Sequence, residues 1–190
     1  MKRPSFFSAI EHVYQTTQEQ RQTLIVHANM ILRHAKQAIF ALHREDSKAA
    51  KMHLDEAQKL FKTLSPSIRQ VKTLSQEGSF RAAQEEYVEA FLFYEFIING
   101  QWKKPDAAFL EPSIFLGGLS DFTGELTRYA VRQATKGQIQ AVEEAEQTVE
   151  MIVEYLLQMD LTGHLRQKND QAKKNLQSLE RILYDLRVTH

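Results

Sequence analysis

Leu24, Ala28, Ile31, Leu32, Ala35, Ile39 and Leu42 recur at helical spacing along the stretch from Phe7 to His43. That period puts them on one face of a single long α-helix, which must find a partner surface for them. The same pattern returns along almost the whole chain. Asp46-Ser47 offers an N-cap for a second helix to about Leu64, and Ser65-Pro66 predicts a break with proline in a new first turn. A third helix to about Leu74, then Gln76-Glu77-Gly78, precedes a fourth over Phe80 to Ile98 that ends at Asn99-Gly100. QWKKPDAAFLEP is the one real loop, and helices follow over about 113–136, 138–159 and 166–188. No stretch alternates as a strand would, and with only 7 glycines and 4 prolines the chain is poor in turn formers. The expectation is all-α: one domain, residues 1–190, built as a bundle of about seven helices.

Several function classes are disfavoured early. There is no cysteine, so neither a disulfide framework nor thiolate chemistry is available. No 18-residue apolar segment occurs, and MKRPSFFSAIEHVYQ lacks the apolar run of a signal peptide. A reducing cytoplasmic setting is therefore expected. Net charge is zero but unevenly spread: residues 1–81 hold 13 basic and 7 acidic side chains, and residues 82–165 hold 5 and 14. This is not the overall basic excess of a simple nucleic-acid coat protein. It suits a cation site flanked by surfaces that meet phosphates.

The acidic middle contains GGLSDFTGEL, residues 117–126, with three glycines inside a predicted helix. Each costs roughly 1 kcal/mol relative to alanine, so a compensating reason is expected. Asp121 and Glu125 lie four apart and share a helix face, as do Glu86 and Glu89, three apart in QEEYVEAF. Apolar neighbours surround both pairs, and acids in such company are costly to bury unless protonated or paired with a cation. Two helices with two acids each can make an all-oxygen site for Mg²⁺ or Mn²⁺. Gly118 and Gly124 then read as places where another backbone, or a substrate, comes close beside the acids. Spacing alone leaves a second reading open. Arg128 and Arg132 continue the Asp121–Glu125 face, so the acids can equally form ion pairs on a solvated surface.

Rival chemistries find less support. A di-iron bundle needs Glu-x-x-His, and none of the seven histidines has glutamate three positions before it. His12, His27, His34, His53 and His164 read as isolated surface or packing residues. Phosphate-loop, nucleophile-elbow and zinc-protease patterns are absent, and Trp102 reads as a core or loop anchor. In the last helix Leu165, Ala172, Leu179 and Leu186 lie seven apart, with Leu176 and Leu183 between them. This stripe is either a coiled-coil seam or the face that packs on the chain's own bundle.

EEYVEA followed by LSDFTGELTRYAV resembles the translin family, and within it the catalytic-type subunit, translin-associated factor X, more than translin itself. KQAIFALHR, Lys36 to Arg44, and the C-terminal LERILYDLRV are similar to family segments too, so the resemblance runs from about Lys36 to Val188. It implies a seven-helix bundle that assembles into a hollow homo-octamer with Mg²⁺-dependent (or Mn²⁺-dependent) endoribonuclease activity on single-stranded RNA. It assigns Glu86, Glu89, Asp121 and Glu125 as the catalytic and metal-binding acids. Arg128 matches the arginine after the second motif, and with Arg132, Lys36, His43 and Arg44 makes up the expected nucleic-acid contacts. Glu95 stands where the family carries His, Arg132 where it carries Asn, and the short loop 100–112 replaces a longer insert, as in prokaryotic members. The competing function is a non-catalytic oligomer that binds single-stranded RNA or DNA.

Overall fold

The computed structural model describes residues 3–106 and 110–188, and among these every regular element is helical. The order is α1 (Ser5–His43), α2 (Ser47–Gln70), α3 (Gly78–Tyr94), α4 (Pro112–Ala134), α5 (Ile139–Leu157) and α6 (Gly163–Val188). A 3₁₀ turn, Lys72–Gln76, links α2 to α3, and a π-helical turn, Glu95–Asn99, extends α3. α1 packs on α2 and α3, α3 on α4, and α4 on both α5 and α6. No described helix is long and apolar enough to cross a membrane. The all-α expectation holds, with six α-helices in place of about seven.

The difference lies at Pro66. Instead of opening a new helix it sits inside α2, which continues to Gln70. Phe61, Leu64 and Ile68 are all buried, so the apolar face that α2 turns to the core passes straight through the proline. Burying that face offsets a missing backbone donor, and local propensity yields to packing. Beyond Gln70 the predicted third helix shrinks to the 3₁₀ turn, anchored by buried Leu74. Other boundary signals act as read. The Asp46 side chain accepts from the Ala49 amide at 2.9 Å, and Gly100 takes a left-handed φ of 58° after Asn99.

Two further expectations resolve by burial. Ala172, Leu179 and Leu183 of α6 are buried with Leu176 and Leu186 packed beside them, so the heptad stripe faces its own bundle and no coiled-coil seam is left open. Conversely, residues 5–16 of α1 are all exposed, including Phe6, Phe7, Ile10, Val13 and Tyr14. At 1.5 Å per residue, these twelve positions carry α1 about 18 Å along its axis with no core contact.

Candidate carboxylate site

α3 and α4 cross at the glycines. A Cβ on Gly118 would lie 2.6 Å from the carbonyl oxygen of Glu85 and 2.7 Å from Val88 Cβ, so only glycine lets the two backbones meet there. A Cβ on Gly117 would lie 2.6 Å from Glu85 Oε1. Gly124 is different: its Cβ would make an ordinary 3.6 Å contact with Asn175 Nδ2. Close approach of another backbone thus explains Gly118, and room for a carboxylate explains Gly117. Nothing in the packing requires glycine at position 124.

This crossing brings Glu86 and Glu89 of α3 beside Asp121 and Glu125 of α4. Glu89 is the innermost. Burial, and then the charges of Glu86, Asp121 and Glu125, push its pKa from 4.5 up to about 9, so it carries a proton at neutral pH. It makes no hydrogen bond or ion pair among the described residues. The Glu86 carboxyl is also raised, mainly by burial, against the pull of Lys36, whose Nζ stands 4.0 Å away. The outer two acids are engaged. Asp121 is bound by the Lys168 ammonium from α6, and Glu125 by Nε2 of His43, which is buried against Phe93 at a ring separation of 4.9 Å. Arg128 stands 3.7 Å from Glu125, its guanidinium 5.3 Å from the Phe40 ring centre.

The expected contact residues separate into two groups. Lys36, Arg44, Arg128 and Arg132 are exposed; Lys36 reaches toward Glu86 of α3, and Arg128 of α4 lies over Phe40 of α1. His43 is instead interior, its Nδ1 without a partner and its Nε2 on Glu125, so it meets an acid and not solvent. Glu95 is buried, accepts from Asn99 at 2.8 Å and pairs with Lys103 at 3.1 Å, tying the π-helical turn to the following loop. Two site residues escaped the sequence reading: Glu85, whose carboxylate lies 3.0 Å from Lys168, and Lys168 itself. Gly117 opposite Glu85 was the signal available for the first. Nothing in RQKNDQ marks the second.

Donor chemistry here suits a hard divalent cation: carboxylate oxygens, with Glu86 and Glu89 held back from ionising chiefly by burial. Convergence is less complete. Among the described residues no three histidine, aspartate or glutamate side chains form a ready ligand cluster, with Asp121 turned to Lys168 and Glu125 to His43. A cavity of about 450 Å³ lined by Leu92, Phe96, Trp102, Phe122, Tyr129 and Met151 includes none of the acids. Trp102 packs edge-on against Phe122 at its wall, as an anchor for the loop.

The translin family model matches residues 19–190. The chain belongs to the translin family. Solved structures agree on the fold of this translin-family chain. Apo-NeC3PO superposes with a TM-score of 0.88 at 22% identity, covering 98% of this chain and 100% of that one. AfC3PO gives 0.88 at 22% identity, covering 97% and 98%, and an AfC3PO–duplex RNA complex gives 0.86 at 21%, covering 97% of each. No curated protein matches.

Proposed function

We propose that this protein is a metal-dependent endoribonuclease of the translin-associated factor X type, acting on single-stranded RNA from within a closed homo-oligomer, most simply eight copies in a cytoplasmic setting. One observation supports the reading: Glu86, Asp121 and Glu125 stand near enough to Glu89 to add to the effect of burial and keep it protonated, although the four do not converge as a ready ligand set among the described residues. A divalent cation is the partner that would turn this costly grouping into a favourable one. Glu86, Glu89, Asp121 and Glu125 would hold Mg²⁺ or Mn²⁺. Such an ion supplies an activated water and charge stabilisation at the scissile phosphate. The chain's own residues do the rest. Lys36, Arg44, Arg128 and Arg132 offer cations to the strand's phosphates. Phe93 and Glu125 fix the His43 ring, so His43 acts as a positioning residue for Glu125. An RNA duplex accompanies one relative's structure, which adds weight to RNA as the ligand class and makes duplex a necessary comparison substrate.

The second reading, a non-catalytic RNA- or DNA-binding oligomer, draws on the pairing of Asp121 with Lys168 and of Glu125 with His43, which satisfies two acids without metal. Labelled single-stranded RNA, single-stranded DNA and duplex RNA incubated with Mg²⁺ or EDTA separate the two. Cleavage of the RNA strand only with Mg²⁺, lost in Asp121→Asn while the assembly persists, is the expected result. Asparagine keeps the shape but removes the charge a hard cation requires. Binding without cleavage under every condition, or full activity in Asp121→Asn, overturns the enzyme reading.

A further inference from the structure

Among the described residues, Lys168 is the ammonium lodged between α3, α4 and α6 in this site, its side chain only 13% exposed. It binds Asp121, one of the four acids, and Glu85, which lies outside them, at 3.0 Å. We propose that Lys168 is a tethered counter-ion that holds Asp121 when no metal is bound, gives it up to the divalent cation by retreating to Glu85, and thereby sets the site's metal affinity. The inference rests on the four-carboxylate metal reading.

Three features argue for it. An ammonium and a hard divalent cation seek the same carboxylate oxygens, so both cannot take full possession of Asp121. Glu85 gives the displaced ammonium somewhere to stay, and Gly117 leaves its carboxylate room in the present position, since a Cβ there would lie 2.6 Å from Glu85 Oε1. Lys168 is also confined, where Lys36, with 56% of its side chain exposed, can leave Glu86 for water. A cation that cannot leave continues to repel the incoming ion, and does so with little solvent screening. Removing it should therefore tighten metal binding even though a carboxylate partner is lost.

Mn²⁺ titrated calorimetrically into the full chain provides the test, with Asp121→Asn as the control that reports on the acid site. Lys168→Met should bind Mn²⁺ at least ten-fold more tightly than wild type, equivalent to about 1.4 kcal/mol, while Lys168→Arg stays within about three-fold. Unchanged or weaker binding in Lys168→Met overturns the role given to Lys168 and leaves the metal reading standing. If neither wild type nor Lys168→Met binds Mn²⁺, the metal reading falls and this inference with it. Should Lys168→Met fail to fold, Lys168→Gln, which keeps a polar side chain without the charge, takes its place and should also bind Mn²⁺ at least ten-fold more tightly than wild type; unchanged or weaker binding overturns the proposal.

Discussion

A carboxyl with a pKa of about 9 inside a helical bundle ties stability to pH. Between its ordinary value of 4.5 and 9, Glu89 keeps its proton when folded and releases it on unfolding, so stability must fall as pH rises through that window. Each unit of upward shift is worth about 1.4 kcal/mol once pH exceeds both values. With local relaxation, metal-free protein should lose about 1–3 kcal/mol between pH 5.5 and 8.5. Glu89→Gln should lose most of that slope, melt higher than wild type at pH 8 and cleave no RNA. Thermal melts in EDTA across the range measure it, and a wild-type slope no different from that of Glu89→Gln would show that Glu89 ionises freely. At Arg128 function and stability should part in the other direction. Its contact with Glu125 is 3.7 Å long and half in solvent, worth well under about 1 kcal/mol. Arg128→Ala should therefore weaken RNA binding and turnover with hardly any change in melting temperature; unaltered affinity and turnover would reduce the residue to a surface ion pair. Spacing puts each pair of acids on one helix face but left ion pairing equally open, and it was the family resemblance that singled the four out. Lys168 was not legible, since it reaches them across 47 residues of sequence and a lysine on an amphipathic helix has no distinguishing neighbourhood. The same limit hid the His34–His53 pair, whose Nδ1 atoms meet at 3.2 Å between α1 and α2 although each reads as solitary.

Along the elements, periodicity was sufficient for α1, α4 and α5, whose buried faces repeat cleanly although none of the three has a side-chain N-cap hydrogen bond. It failed at Pro66, where the competing information was a buried face on another helix. The glycines of α4 show the same division. A glycine's cost is visible in sequence, but its reason is the atom opposite, and the three differ. Gly118→Ala forces a methyl group against the Glu85 carbonyl and Val88, so it should destabilise by about 1–3 kcal/mol. Gly124→Ala meets only an ordinary contact and should gain up to about 1 kcal/mol of helix propensity. Gly117→Ala displaces a side-chain carboxylate and not a backbone atom, which makes it milder than Gly118→Ala. Chemical denaturation of the three variants ranks them; equal effects at 118 and 124 would contradict the crossing as described.

For the molecule as a whole, the bundle was readable and its surface was not. The stripe on α6 that suggested a seam between chains is spent inside the protomer, while exposed apolar side chains stand on the outlying turns of α1 and also on other helices, Met151, Tyr155 and Leu157 of α5 among them. Light scattering should return a mass several times the 22.0 kDa of one chain, eight-fold on the proposed assembly; a monomer that still cleaves RNA would refute the shell while sparing the acids. The contact at Gly118 has a consequence for time as well as shape. Both halves of the carboxylate site ride on helices held backbone to backbone at Gly118, so among the described residues this crossing gives the spacing of their Cα atoms no hinge. Opening the site for an ion is left to the swing of a lysine and the turn of two carboxylates. Rotamer changes of that kind run from picoseconds to nanoseconds when side chains are exposed and more slowly when packed, far faster than the microsecond-to-millisecond closure of jointed enzymes. Stopped-flow Mn²⁺ binding should accordingly be a single concentration-dependent phase, free of a later conformational step.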